Sequence, residues 1–288
     1  MKRWALAAAI AMSCLASTSL LAQNKPVLST SPSERNWRFS DVAANRIAWS
    51  CSGKGRPTII LIAGLGLPAR ESFGRIYQNY DGPGRLCLYD RAGMGDSRLA
   101  DPRTRTLDQL VGELHELSRT NGWGPAVLVP HSFGGFIARA YAQKYPRDVL
   151  GILFLDVAQE DYLPRLKAGM SDKDWATMER LLKWNEQTFH EDYVQAQEAV
   201  RNARLNPDLP ITVLSRGVSY TNIRAARISN QGMDLYEREH RALQARIAAL
   251  SKNSEHRVAR YSSHLFNDSD PWIVIGELKR LVRRLTKP

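Results

Sequence analysis

The strongest constraint on folding is a repeated phrase, a short and wholly apolar run that ends in a glycine turn. Thr58-Ile59-Ile60-Leu61-Ile62 is largely β-branched and stops at Ala63-Gly64-Leu65-Gly66. Ala126-Val127-Leu128-Val129 repeats the pattern and runs into Pro130-His131-Ser132-Phe133-Gly134-Gly135. A run without alternation presents apolar side chains on both faces of a sheet, so both faces must be covered. Residues 85–90 read as a further strand, closed by the turn Arg91-Ala92-Gly93-Met94-Gly95. Helical spacing occupies 107–118 and resumes from Phe136 to about Tyr145, stopped by Pro146; 149–155 is again strand-like. Strands alternating with helices predict an α/β fold with a mostly parallel, doubly wound sheet.

The rhythm has two interruptions. Residues 47–51 alternate apolar and small polar side chains, an early strand of an antiparallel start. Between 157 and 210 the chain is polar and helix-forming, with Trp175, Met178, Leu181, Leu182 and Trp184 near helical spacing. This predicts a helical cap insertion (157–210) dividing a core made of 37–156 and 211–288. Within the second part, 211–214 reads as a strand, 233–250 as a helix and 256–261 as a strand. Pro271 opens a last amphipathic helix with Ile273, Leu278, Leu281 and Leu285 inward and Lys279, Arg280, Arg283, Arg284 and Lys287 outward. That basic face reads as solvated, with contact to membrane lipids as the alternative.

Composition narrows the class. With 288 residues, 43% hydrophobic, the chain can build a full core without a structural metal. Its 40 Lys+Arg against 29 Asp+Glu give +11, spread along the chain rather than gathered in an arm. No zinc-finger spacing, RNA-binding signature or basic-region helix is present, so no nucleic-acid partner is expected. Residues 1–22 have a basic start and an uncharged, Ala-rich run from Trp4 to Ala22, which predicts a signal peptide cut near Ala22. Ala, Ser and Thr dilute that run, which argues against a membrane anchor, and the run before Cys14 is short for a lipoprotein. Residues 23–36 form a flexible lead-in. The mature chain is then periplasmic or secreted with no integral span, and its basic charge allows weak association with an anionic envelope surface.

The chemistry centres on Ser132. A serine at a strand-to-helix turn is pushed out of the backbone, and the new helix points its N-terminus at the hydroxyl. Small residues are required where strand and helix pass closely, and Gly134 and Gly135 supply them. Pro130 departs from the G-x-S-x-G pattern, because it stands at the first glycine and has no N–H.

Ala63-Gly64-Leu65-Gly66 after a strand, Tyr89 to Ser97 (Y-D-R-A-G-x-G-x-S) and His131 to Gly135 (H-S-x-G-G) together resemble the α/β-hydrolase superfamily. The likeness spans nearly the whole mature chain. It implies a serine, an acid and a histidine in that chain order, and a serine argues against the branches that use an aspartate nucleophile. The implied histidine is His264, in a loop after the last strand and followed by Asp268, Asp270 and Pro271. The strand at 211–214, where many members carry the acid, is followed by Ser215-Arg216-Gly217 and offers no carboxylate. Asp156, at the end of the preceding strand, is the expected acid, with Asp161 and Asp234 as alternatives. The implied oxyanion-hole donors are the backbone N–H groups of Leu65 and Phe133. Asp90 and Arg91 are read as structural residues of their turn. The resemblance also puts Cys51 and Cys87 on neighbouring strands, where they pair as a disulfide or remain two buried thiols.

The expected activity is cleavage of a carboxylic ester or related acyl bond of a small molecule through an acyl-enzyme on Ser132. Trp175, Trp184 and Phe189 are candidate pocket residues, against the more ordinary reading of each as cap–core packing. Amide, lactone or carbon–carbon bond hydrolysis with the same residues is the alternative. A non-catalytic ligand-binding protein on this scaffold is the other. No cofactor is expected, since there is no G-x-G-x-x-G fingerprint, H-E-x-x-H or C-x-x-C.

Overall fold

The computed structural model describes residues 37–220 and 227–286. The expected signal peptide over 1–22 and lead-in over 23–36 lie outside the described residues. Eight strands form one sheet: β1 (Arg38–Val42), β2 (Asn45–Lys54), β3 (Thr58–Ile62), β4 (Gly84–Tyr89), β5 (Ala126–Pro130), β6 (Val149–Leu155), β7 (Ile211–Arg216) and β8 (Ser254–Ala259). Their order is β1-β2-β4-β3-β5-β6-β7-β8. β1–β2 and β2–β4 are antiparallel, and every later pair is parallel. The α/β fold predicted from the apolar runs is the one observed, and β3 and β5 are buried along their whole length.

β1 has no counterpart among the expected elements. It joins β2 through Ala43 and Ala44, with φ of 46° and 69°. Two successive left-handed residues make the hairpin turn that Asn-Gly usually announces, and two alanines carry no such signal.

Helices cover both faces. On one face lie α1 (Ala69–Asn79), α8 (Phe266–Ser269) and α9 (Pro271–Thr286), packing Phe73, Ile76, Val274, Leu278 and Leu281 onto Ile59, Leu61, Val127 and Leu153. On the other lie α2 (Leu107–Thr120) and α3 (Gly134–Lys144), which bring Leu110, Leu114, Phe136 and Tyr141 onto Ile60, Leu128 and Phe154. α2 starts with a capping box, Thr106 accepting from Gln109 N while the Gln109 side chain takes the Thr106 N–H. Burying one such Leu or Phe contributes about 1.5–3 kcal/mol, so these two layers dominate the stability.

Between β6 and β7 the chain forms α4 (Tyr162–Gly169), α5 (Asp172–Phe189) and α6 (Tyr193–Ala199). Their shared apolar cluster takes in Tyr162, Leu163, Leu166 and Met178, together with Met233, Leu235 and Leu243 of α7 (Asn230–Ala248). The outward charges of α9 are largely paired: Lys279 with Asp81, Arg280 with Glu277, and Arg284 with Glu255 at 2.8 Å. Cys51 and Cys87 are directly opposite in the β2–β4 register and form a disulfide, with Cα atoms 4.1 Å apart.

Candidate active site

Ser132 follows β5 after one residue, His131, with φ of +53°, and α3 begins two residues later. A positive φ on a non-glycine residue is strained by about 1–3 kcal/mol and persists only where surrounding contacts impose it. Here they do. Ser132 N donates to the Leu155 carbonyl at 3.1 Å, and the Ser132 carbonyl accepts from Gly135 N at 3.0 Å and Ala158 N at 3.1 Å. The elbow glycines are required by space: a Cβ on Gly134 would lie 2.5 Å from the Ile62 carbonyl oxygen, and one on Gly135 2.5 Å from Val157 Cβ. Pro130 fits where the ladder can spare a donor. Its strand pairs with β6 through Ala126, Val127 and Leu128, and pairing resumes only at His131↔Leu155.

Asp156 follows β6, the neighbouring strand, directly and is also in the left-handed region at φ +46°. Its carboxylate is fully buried and takes four donors. Oδ1 accepts from Arg216 N at 3.1 Å and His240 Nε2 at 2.8 Å; Oδ2 accepts from Arg216 Nη1 at 2.5 Å and His264 Nδ1 at 2.6 Å. Burial works to raise the Asp156 pKa, but His240, His264 and Arg216 outweigh it and hold the group well below the usual carboxylate range. Of the alternative acids, Asp161 pairs with Arg201 and Arg246, and Asp234 is exposed on α7.

His264 lies in the loop between β8 and α8. Its Nδ1–H points at the carboxylate, so Nε2 carries the free lone pair. The loop is tied to the elbow, because the His264 carbonyl accepts from His131 Nε2–H at 2.8 Å and the two rings stand 4.7 Å apart. Ser132 Oγ makes no hydrogen bond to His264 among the described residues; such contacts commonly tighten only when substrate binds. Burial lowers the His264 pKa, with Arg216 and His240 adding to that and Asp156 opposing. His131 is pushed down to about 3 by burial and by His264, and so stays neutral.

The N–H groups of Leu65 and Phe133 donate to no described group. Gly64 lets this turn approach the elbow: a Cβ there would lie 3.4 Å from Ser132 Cβ and 3.2 Å from His131 Nδ1. Phe189 reaches the same turn, since a Cβ on Gly66 would fall within its ring, and Trp184 packs edge-on against Phe189 at 5.6 Å. Trp175 is engaged within the helices between β6 and β7, with Glu179 at 2.7 Å and Lys167 over its ring. Arg216, His240 and His131 were not expected in the site. Arg216 had a signal, since it stands where an acid was looked for, and His131 lies inside the elbow motif. Nothing local marks His240. Among the described residues no cluster of three His, Cys, Asp or Glu side chains is arranged to hold a metal, and no helix is long and apolar enough to cross a membrane.

Comparison with known proteins agrees with this architecture. The chain is 28% identical over 223 residues to the uncharacterized protein YqjL of Bacillus subtilis, covering 77% of this chain and 82% of that one. It is 29% identical over 120 residues to the uncharacterized protein YbdG of the same organism, covering 41% of this chain and only 36% of that protein. Among solved structures, mouse alpha/beta hydrolase domain-containing protein 10 superposes with a TM-score of 0.64 at 16% identity, over 87% of this chain and 99% of that one. A thermophilic esterase from Thermogutta terrifontis gives 0.59 at 16% identity, over 87% and 99%. The family profile of the alpha/beta hydrolase fold matches residues 57–270, and with the sheet order and the strand-end elbow this makes the chain a member of the alpha/beta hydrolase fold family.

Proposed function

We propose that the protein is an exported serine hydrolase that cleaves a carboxylic ester or related acyl bond with Ser132, His264 and Asp156. The observation that carries this is the pairing of two strained turns at neighbouring strand ends: Ser132 after β5 and Asp156 after β6, with His264 Nδ1 on Asp156 Oδ2 at 2.6 Å.

In this mechanism His264 Nε2 takes the Ser132 hydroxyl proton as Oγ bonds to the substrate carbonyl carbon. The carbonyl electron pair moves onto oxygen, and the Leu65 and Phe133 N–H groups donate to the resulting oxyanion. The intermediate collapses by expelling the alcohol, which receives the proton from His264. An acyl ester on Ser132 remains, and water releases it by the same steps, with His264 again as base. Asp156 stays ionised and stabilises the imidazolium. The Cys51–Cys87 disulfide supports an oxidising compartment, in line with the uncharged run at residues 4–22. Phe189 and Trp184 beside the Gly66 turn suit an apolar acyl or alcohol group.

The test is turnover of p-nitrophenyl acetate and butyrate by the parent and by Ser132→Ala, with labelling by a fluorophosphonate. Ser132-dependent turnover and labelling are expected. Equal rates in parent and variant, with no labelling, would leave a binding protein on a hydrolase scaffold as the better reading.

A further inference from the structure

The turn that carries the Leu65 N–H faces a conflict. Gly64 must be small because it lies against Ser132 and His131, and Gly66 because Phe189 lies on it. Glycine at 64 leaves the Gly64–Leu65 peptide easy to rotate about the Gly64 ψ. In a planar trans peptide the C=O and N–H point in opposite directions, so whatever holds the Gly64 carbonyl also aims the Leu65 N–H. Arg91 holds it. Its Nη2 donates to the Gly64 carbonyl and its Nη1 to the Ala63 carbonyl, both at 2.7 Å.

Arg91 is itself buried and is held by the cap. Nε and Nη2 donate to the two carboxylate oxygens of Glu191 at 2.6 and 2.9 Å, and Glu191 has no exposed surface. Glu191 lies two residues beyond Phe189 in a stretch stitched to the core, with Arg105 N on the His190 carbonyl at 2.9 Å and Asp192 N on the Arg105 carbonyl at 3.4 Å. Arg105 adds a weaker contact to Glu191 at 3.4 Å but has its own partner in Glu113 at 3.0 Å. Arg91 has no other carboxylate partner among the described residues.

We propose that Glu191, acting through Arg91, is a positioning residue for the oxyanion peptide, so that the cap insertion holds the Leu65 N–H toward the Ser132 reaction centre. This rests on the serine-hydrolase reading above. A buried guanidinium keeps its geometry only while its charge is matched. Without Glu191, Arg91 loses its bidentate seat, the Gly64 carbonyl keeps only a long contact from Leu67 N at 3.4 Å, and the peptide after Gly64 turns. The transition state then loses a donor that the ground state hardly uses, so kcat falls while KM stays.

The experiment compares the parent with Glu191→Gln, Glu191→Asp and Arg91→Lys. It measures kcat and KM on p-nitrophenyl butyrate, the inhibition constant of an alkyl trifluoromethyl ketone, the Leu65 amide resonance and the melting temperature. Losing one oxyanion donor costs about 10²–10³-fold in kcat, and a misaimed donor is expected to cost about 10–100-fold. Glu191→Gln should show that loss with KM within about twofold, ketone binding weakened by the same factor, and a shifted Leu65 resonance. Glu191→Asp, which keeps the charge, should fall between parent and Gln; it also serves if Gln does not fold. A lower melting temperature with unchanged kcat, ketone affinity and Leu65 resonance would make Glu191 a structural ion pair and overturn the proposal. Ser132→Ala separates this from failure of the underlying reading. If Ser132→Ala hydrolyses the ester as fast as the parent, that reading falls, and the Leu65 resonance alone then decides whether Glu191 aims the peptide.

Discussion

Under the proposed mechanism, replacing Arg216 by Met should raise the pH at which ester hydrolysis sets in. Arg216 Nη1 and His264 Nδ1 bind the same oxygen of Asp156, at 2.5 and 2.6 Å, so a cation sits close to the imidazolium that catalysis must form. At a separation of about 5 Å and an effective dielectric of about 20, two unit charges repel by about 3 kcal/mol, equivalent to about 2 pK units. Glu237 accepts from Arg216 Nη2 at 2.9 Å and offsets part of that charge. The net expectation is an upward move of about one unit in the acid limb of the kcat/KM profile, which reports the free enzyme's base. The sign follows from the chemistry. In its proposed role His264 must be neutral to act, and removing a neighbouring cation makes it easier to protonate. His240, His131, Tyr220, Tyr236 and Glu237 also surround this cluster, so the complementary variant Glu237→Gln is informative. It unmasks Arg216 and should move the limb down. The assay is initial-rate hydrolysis of a p-nitrophenyl ester from pH 4 to 9, read at the isosbestic wavelength of the product. Limbs that stay put, or that move in the same direction in both variants, would refute the electrostatic argument.

Three further outcomes are expected. Replacing Cys51 and Cys87 together by Ser opens a loop of 36 residues and should lower unfolding free energy by about 4 kcal/mol, measured by urea titration with and without reductant. Gly135→Ala forces a Cβ to 2.5 Å from Val157 Cβ and should cost about 1–3 kcal/mol, partly recovered by adding Val157→Gly, which removes that atom, whereas Gly134→Ala meets the Ile62 carbonyl and should have no such rescue. His131 is neutral in the native state because burial holds its pKa near 3, while the unfolded chain takes up a proton below its ordinary value. Its contribution to stability is therefore lost as pH falls through the ordinary histidine range: about 2 kcal/mol between pH 7 and 5. His131→Gln should flatten that part of the urea-derived stability curve.

The elbow was legible because every part of it is local. Strand, serine and two glycines fall within one short segment, and the glycines are demanded by the Ile62 carbonyl oxygen and the Val157 side chain. His264 was legible by order along the chain and by its loop after the last strand. Arg216, His240 and Glu191 were not legible as site residues, because each acts through a partner 60, 84 or 100 positions away. β1 escaped for a different reason: its alanine turn is held by the sheet rather than announced by residue type.

The amino-acid sequence by itself determined the sheet, since unbroken apolar runs cannot be exposed on either face, and it determined the sharp turn after β5, since only small residues let strand and helix pass. Only the tertiary structure decided which carboxylate meets His264 and how each of their charges is matched. A buried group's ionisation depends on donors and charges delivered by separate strands and helices, and no short-range pattern records which of them will converge.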